Sequence, residues 1–320
     1  MRLVAALLAG LMRRMGGVRG AGPAAWFGAL LLVSASAQAA STPFCDPGRP
    51  RSVAEQDRAL RFAAQVRAEL DASGHAVALI SRAGLDLDRI GLRYSHAGIV
   101  LRRHAELPWA VRQLYFDCDT RRARLFDQGL AGFVLGSHDA ALAFVSLVFV
   151  PDMAGRLERT TRDNATALAL LGSAYSASAY AFSTQYQNCN QWVAELLATA
   201  WWGPSDGTQA PADPRAQAQA WLEQAGYAPA RIQLGSVWWH SWASWIPWLH
   251  EDDHPPRHRA ALRYDVSVPE ALEAFVQAQQ PQAQRVELCQ SRTHIVIRRG
   301  WRALSSDCTA EAGDTVVQLD

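Results

Sequence analysis

The chain has 320 residues, 49% of them hydrophobic, with 31 basic and 30 acidic side chains. Residues 1–39 hold four arginines and no carboxylate, so the remainder carries 27 − 30 = −3. This near balance argues against a nucleic-acid partner. About 280 residues beyond the first 39 are enough for one large domain with a sizeable core.

Residues 1–39 have the pattern of an export signal. Arg2, Arg13 and Arg14 supply positive charge, and residues 24–33 form a short apolar core. Ala37-Gln38-Ala39 is a small-residue cleavage pattern. The apolar run is shorter than the ~20 residues that a membrane-spanning helix needs. We therefore expect a signal peptide over 1–39, a single domain over 40–320 without a membrane span, and a periplasmic or secreted location. A membrane anchor is the alternative.

The first predicted element after this segment is a helix. Ser52-Val53-Ala54-Glu55 is a capping box, and Gly74 ends the helical pattern. Between them, apolar side chains recur at helical spacing: Leu60, Phe62, Ala63, Val66 and Leu70.

Strands dominate the next part of the chain. Alternating or continuous apolar runs predict four of them, over residues 75–81, 95–101, 109–117 and 146–150. The turn-rich residues 84–91 separate the first two strands, and the loop around Pro108 precedes the third.

Helices and a hairpin are predicted for the remainder. The helices cover residues 164–175, a segment from Asn188 to Gly203-Pro204, a segment from Asp213-Pro214 to Gly226, and a segment after Pro269. Apolar runs at residues 285–289 and 294–298 predict a closing C-terminal hairpin, which follows a Trp-rich loop at residues 238–248. This loop is either a cover of the core or a lining of a binding groove.

Five cysteines are an odd number for an exported chain, so at least one is unpaired unless it bonds to another chain. We favour pairing Cys289 with Cys308, which are close in sequence, and Cys45 with Cys118. Cys189 is then left free. An oxidising compartment makes a spare thiol a liability unless it is used; the alternative is a buried structural thiol.

Cys189 is the candidate nucleophile. Asn188 occupies an N-cap position, which places Cys189 at the first helical position over unsatisfied backbone N–H groups. A helix N-terminus and a neighbouring imidazole both lower the pKa of a thiol. His96, at the start of an apolar strand, is the candidate general base. We expect Tyr186, Gln187, Asn188 and Trp192 to form the oxyanion hole or pocket around the thiol.

A third polar group usually fixes the tautomer of such a histidine. The candidates that follow His96 are His104, Glu106 and Gln113. His104 lies roughly 26 Å further along a straight strand, away from the site. If the chain folds back about Ala105-Glu106, His96 lies opposite Tyr115, and Gln113 lies one diagonal step away on the same face. Gln113 is therefore the predicted orienting residue.

The strand Arg93-Tyr94-Ser95-His96-Ala97-Gly98-Ile99-Val100 precedes the helix that begins Asn188-Cys189-Asn190-Gln191-Trp192-Val193. This order resembles the circularly permuted branch of the papain-like, NlpC-type cysteine hydrolases. The resemblance implies an α+β fold with a permuted papain-like core, whose antiparallel sheet packs against the cysteine-bearing helix. Relatives in this branch usually place histidine or glutamate near the third position, so Gln113 is a departure.

The chain also resembles a narrower group, the domain-of-unknown-function family 2145. The matching landmarks are Arg58-Ala59-Leu60-Arg61-Phe62, Ala78-Leu79-Ile80-Ser81-Arg82, the two segments above, Arg215-Ala216-Gln217-Ala218-Gln219, and Glu251-Asp252-Asp253-His254-Pro255. The similarity covers most of the chain after the first 39 residues. It implies no particular substrate.

The predicted function is that of a cofactor-free cysteine hydrolase or acyltransferase of the envelope. An acyl-cysteine intermediate would form from an amide, ester or thioester in a small-molecule, lipid or peptide substrate. One alternative is a catalytically degenerate binding protein. Another is a metal-dependent hydrolase that uses the acidic and imidazole groups at His250, Glu251, Asp252, Asp253, His254 and His258. The blander interpretation of that segment is a solvated loop. The oligomeric state is not predicted.

Overall fold

The structure is a computed structural model that describes residues 50–102, 108–137, 139–203, 212–234 and 248–319. Residues Arg49–Asp320 form one compact unit. This unit is α+β, with a large antiparallel sheet, as the sequence predicted. Among the described helices, none is long and apolar enough to cross a membrane.

The described helices are α1 Val53–Ala72, α2 Leu130–Leu135, α3 Ala154–Arg162, α4 Asn164–Ala169, α5 Cys189–Trp202, α6 Pro214–Gln224, α7 Pro256–Ala260 and α8 Pro269–Gln279. The described strands are β1 Val77–Arg82, β2 His96–Leu101, β3 Ala110–Asp117, β4 Arg122–Gly129, β5 Ala143–Phe149, β6 Ala230–Gln233, β7 Arg263–Val266, β8 Gln284–Gln290, β9 His294–Arg299 and β10 Thr315–Gln318.

Eight strands form one sheet in the order β10-β9-β8-β5-β1-β2-β3-β4, and β6 pairs with β7 separately. All neighbouring strands are antiparallel. The predicted C-terminal hairpin corresponds to β8 and β9. β8 pairs with β5 along its whole length, from Ala143↔Gln290 to Phe149↔Gln284. This pairing places the hairpin inside the main sheet.

The first helix forms as its capping box predicts. The Ser52 hydroxyl accepts from the Glu55 N–H, the Glu55 carboxylate accepts from the Ser52 N–H, and Gly74 adopts φ +72° just after the helix. Its apolar side chains join those of α2 and of one face of the sheet in a buried core. Full burial of one such side chain is worth about 1.5–3 kcal/mol. The core therefore fixes α1 and α2 on that face.

The helix α5 carries the candidate nucleophile and packs against β2 and β3. Most of its side chains are buried, including Trp192, Val193, Leu196 and Leu197. The helix ends at Trp202 with Gly203 as C-cap, as the Gly-Pro pair predicted. Packing on two strands brings the first turn of α5 to the start of β2.

Several elements were not predicted from the sequence. They are β4, β6, β7, β10, α2, α3 and α7, most of which are only four to six residues long. The helix predicted over 164–175 ends at Ala169, and α3 precedes it. The early end has a tertiary cause, because the buried Gln187 side chain bonds to Leu170 O and to the Gly172 N–H.

The cysteine predictions are confirmed where the structure describes them. Cys289 and Cys308 form a disulfide, and Cys189 is the free thiol among the described residues. Cys118 is disulfide-bonded. Its predicted partner, Cys45, lies outside the described residues.

Candidate functional site

The first turn of α5 is held in place by Asn188. Its side-chain oxygen accepts from the Gln191 N–H at 2.7 Å, which is the N-cap bond that the sequence predicted. Its side-chain nitrogen donates to Ala177 O at 3.3 Å and to Ser267 O at 3.2 Å. Both the oxygen and the nitrogen of the Asn188 side chain therefore hold the start of the helix in place, and Cys189 is the first helical residue.

The Cys189 thiol lies against the backbone on both sides of His96. Its Sγ contacts Ser95 O at 3.9 Å, and the backbone N–H groups of Asn190, Ala97 and Cys189 itself act to lower the pKa of the thiol. The Asn190 side chain donates to the same Ser95 oxygen at 3.3 Å. The start of β2 and the start of α5 are therefore joined directly.

The His96 ring is oriented by Gln113, as the hairpin geometry predicted. β2 and β3 pair as Ile99↔Arg112, Val100↔Val111 and Leu101↔Ala110, the register that the predicted fold-back requires. His96 Nε2 hydrogen-bonds to Gln113 Oε1, and Gln113 Nε2 donates to Gln128 Oε1 at 2.7 Å.

This chain of hydrogen bonds fixes the proton on the ring. Because the oxygen of Gln113 can only accept, Nε2 of His96 carries the hydrogen. Nδ1 is then the unprotonated nitrogen and is able to accept a proton. No hydrogen bond joins the ring to the Cys189 sulfur among the described residues, so the close Sγ–Nδ1 approach of a thiol dyad stays a prediction.

Arg82 is a member of the site that sequence reasoning did not select as a site residue. It lies opposite His96 in the β1–β2 ladder, and its guanidinium sits 5.2 Å from the centre of the Phe133 ring. The His96 ring centre is 5.8 Å from that of Phe133, so both groups pack on one aromatic ring. Arg82 Nη1 also donates to Gly136 O. Its position at the strand end opposite His96 was a usable signal.

The electrostatics of the site differ from the sequence expectation. Burial raises the pKa of the Cys189 thiol to about 11, opposed by Arg82 and the backbone N–H groups. Burial and then Arg82 lower the pKa of His96 to about 3. The expected low thiol pKa is therefore wrong, because desolvation outweighs the helix N-terminus. At neutral pH the resting site holds a neutral thiol and a neutral imidazole.

Two of the predicted pocket residues have scaffold roles. Gln187 is fully buried, and its amide nitrogen donates to Leu170 O at 2.8 Å and to Glu195 Oε2 at 2.6 Å. Trp192 is also fully buried and donates from its indole to Ala167 O at 3.2 Å. These side chains hold α5 against its neighbours rather than face a substrate.

Tyr186 lies farther out than the other predicted pocket residues. Its ring stacks on His250 with centres 4.7 Å apart, and its hydroxyl donates to Asp252 at 3.3 Å. Burial, and then a Cys189 thiolate, raise the pKa of the Tyr175 phenol, which indicates that Tyr175 lies within electrostatic reach of the thiol. Sequence reasoning gave Tyr175 no role.

The acidic and imidazole segment does not form a metal centre in the part of the chain that the structure describes, where no group of three or more potential ligands is suitably arranged. Its side chains bind elsewhere. Asp253 accepts from the Tyr180 N–H at 2.8 Å, His254 bonds to Ser178 O at 2.7 Å, and Glu251 accepts from the Tyr264 hydroxyl. The segment fastens the loop before α5.

Some sequence predictions lie outside the described residues. These are the alternatives His104 and Glu106, Cys45, the signal peptide, and the Trp-rich loop up to residue 247. Trp248 is described, and its ring lies 6.1 Å from that of Phe116, which in turn contacts Tyr175.

The fold and site together define an α+β protein with a buried free thiol at a helix N-terminus. Residues 69–276 match a family model described as an uncharacterized protein conserved in bacteria, the domain-of-unknown-function family 2145. The chain belongs to this family. No curated protein and no solved structure matches it.

Proposed function

We propose that the chain is an exported cysteine hydrolase or acyltransferase with a permuted papain-like core. In this proposal Cys189 is the nucleophile, His96 is the general base, and Gln113 orients His96. The mature protein acts in the periplasm or outside the cell on an amide, ester or thioester.

One observation carries the proposal. The free thiol at the first turn of α5 lies against the backbone of Ser95 and Ala97, while the His96 between them has an oriented ring. The chain separation of 93 residues (189 − 96) makes such a meeting improbable by chance. A buried cysteine with only a packing role does not require a tautomer-fixed imidazole next to it.

The reaction would proceed in two steps with His96 Nδ1 as the proton carrier. Cys189 Sγ attacks the substrate carbonyl carbon and gives its proton to Nδ1, and the leaving amine, alkoxide or thiolate departs with that proton. Water or an acceptor then attacks the thioester and gives its proton to Nδ1. The C–S bond breaks, and the sulfur takes the proton back.

Backbone N–H groups would stabilise the negative oxygen of each intermediate. The N–H groups of Asn190, Ala97 and Cys189 are near enough to the sulfur to lower the pKa of the thiol in the resting protein. When the sulfur moves to bond carbon, the N–H of Cys189 is free to donate to the carbonyl oxygen beside it. One such donor typically contributes 10²–10³ in rate.

The neutral resting site also favours a second candidate. A thiol with a pKa of about 11 and no hydrogen bond to the ring is what a catalytically degenerate binding protein would keep. A neutral pair can still react, because the proton moves only when a carbonyl is bound. The two candidates therefore differ in whether a covalent adduct forms.

Acyl transfer to the purified mature protein separates the candidates. A panel of activated esters, thioesters and peptide acyloxymethyl ketones is applied, and the modified residue is found by peptide mass mapping. We expect an adduct on Cys189 that Cys189→Ser abolishes and that His96→Ala slows by 10²–10⁴. Adducts that form equally in a folded His96→Ala protein, or none with any reagent, would favour the binding protein.

A further inference from the structure

We propose that Arg82 is the fixed positive charge of the site, which stabilises the Cys189 thiolate and the anionic intermediate in place of an imidazolium ion. As a statement about catalysis this rests on the proposed function. As a statement about the thiolate it does not depend on that function.

The fold makes room for the Arg82 guanidinium with two glycines. A side chain at Gly136 would come within 2.7 Å of Arg82 Cζ, and one at Gly84 within 2.4 Å of Arg82 Nη1. Real Cβ atoms do not approach that closely. The Gly84 N–H in turn donates to the Ser95 hydroxyl at 2.9 Å, next to the carbonyl that contacts Cys189. The Arg82 guanidinium therefore lies near Gly84, which is hydrogen-bonded to Ser95, and Ser95 O contacts the thiol.

Arg82 lacks the partner that other inward-pointing arginines have. Among the described residues, Arg215 pairs with Glu195 at 3.0 Å, Arg285 with Glu273 at 2.8 Å, and Arg298 with Asp314 at 2.6 Å. Arg82 forms no ion pair with any described carboxylate, and its Nε is buried without a hydrogen-bond partner. The Arg82 guanidinium is met by a backbone oxygen and an aromatic ring and not by a carboxylate.

Arg82 on β1 is the cation whose charge acts on the thiol. The other titratable groups at this end of the fold are His96, opposite Arg82 on β2, and Tyr175 in the segment before α5. Burial lowers the pKa of Arg82 to about 10, and a Cys189 thiolate would raise it. Burial and then Arg82 lower the pKa of His96, so the imidazole stays neutral and an imidazolium ion is disfavoured. The charge of Arg82 therefore favours the thiolate and opposes a second cation beside it.

Alkylation kinetics of Cys189 test the proposal without a substrate. Rates with neutral iodoacetamide and anionic iodoacetate are measured from pH 7 to 9.5 for wild type, Arg82→Gln, Arg82→Lys, His96→Ala and the control Arg102→Gln. The Arg102→Gln substitution removes a positive charge just beyond the other end of β2. Folding of each variant is checked by circular dichroism and thermal melting.

We expect Arg82→Gln to lower the iodoacetamide rate about tenfold at each pH, since a nearby positive charge lowers the pKa of a thiol and raises the thiolate fraction. The iodoacetate rate should fall further, and Arg82→Lys should restore much of both. Arg102→Gln should change neither. A tenfold fall in His96→Ala with none in Arg82→Gln would overturn the proposal in favour of an imidazolium.

The wild-type protein provides a test that needs no variant. Its ratio of iodoacetate to iodoacetamide rates should exceed that of free cysteine, because a cation beside the sulfur attracts the anionic reagent. A ratio below that of free cysteine contradicts the proposal even if Arg82→Gln does not fold. Loss of acyl transfer alone, with these alkylation results intact, would count against the proposed function and not against the role of Arg82.

Discussion

Two buried polar groups lie along α5, and they are built differently. The first, here called the paired network, consists of Gln187, Glu195, Arg215 and Gln219. Both Glu195 oxygens accept from Arg215, and Gln219 and Gln187 each add one more donor. Arg215 also donates to backbone oxygens of Thr184 and Tyr186. The second group is the candidate site at the first turn of the same helix.

The candidate site lacks this mutual pairing. Arg82 has no described carboxylate partner, the Cys189 thiol is neutral, and His96 keeps one ring nitrogen unprotonated. A buried network in which every polar group has a hydrogen-bond partner stabilises one structure. Polar groups without such partners remain able to react or to bind a ligand. The contrast separates residues that hold α5 in place from residues that are available for chemistry.

Breaking the paired network should have the largest effect. Glu195→Gln leaves the buried Arg215 without its counter-charge, so we expect the free energy of unfolding to fall by about 3–5 kcal/mol. Urea denaturation measures the change. The control is Asp57→Asn, which removes an exposed pair with Arg61 and should cost under about 1 kcal/mol. Equal small losses in both variants would show that the network does not hold the helix.

The free energy of unfolding should fall in acid because the His96 imidazole is neutral in the folded protein. The pKa of His96 is lowered from its ordinary 6.5 to about 3. Between these two pH values the histidine is protonated in the unfolded chain but not in the folded protein. Stability is therefore lost as the pH falls from 6.5 toward 3, by up to about 1.4 kcal/mol per pH unit.

The His96→Gln variant should lack this component of the acid loss. The measurement is the difference between wild type and variant in unfolding free energy at pH 7 and pH 5, in which the shared carboxylate contributions cancel. We expect the wild type to lose about 2 kcal/mol more than the variant. Parallel pH dependences would mean that His96 is protonated in the folded protein.

The smallest effect is expected at Gln113. Gln113→Leu removes the acceptor of His96 Nε2, so acyl transfer or alkylation at Cys189 should slow only a few-fold, on the order of one hydrogen bond. Nitrogen NMR of His96 gives the decisive readout, because a proton on Nε2 should become a mixture of tautomers in the variant. Gln113→Asn is the matched change that keeps the amide. An unchanged tautomer in Gln113→Leu would remove the orienting role.

Local patterns in the sequence predicted much of the site. The capping box of α1, the N-cap Asn188, the register of β2 with β3 and the contact of His96 with Gln113 all follow from short-range rules. The Cys289–Cys308 disulfide follows from spacing and parity. These features depend on residues near each other in sequence or across one hairpin.

Long-range features were missed because they depend on the assembled fold. No local rule places β8 beside β5 or brings Arg82 on β1 near Cys189 on α5. The sign of the thiol pKa was also wrong, since the helix N-terminus is visible in sequence but the burial of Cys189 is not. The helix predicted up to residue 175 ended early for a similar reason, because Gln187 binds the backbone at Leu170 and Gly172.

The most direct measurement is a crystal structure of the protein with Cys189 carbamidomethylated by iodoacetamide. The adduct places a carbonyl one methylene group beyond the sulfur, close to where the carbonyl of an acyl intermediate would lie. We expect His96 Nδ1 within about 4 Å of Sγ and the adduct oxygen accepting from the Cys189 N–H. An Sγ–Nδ1 separation beyond about 8 Å, with His96 still bonded to Gln113, would contradict the assignment of His96 as the base for Cys189.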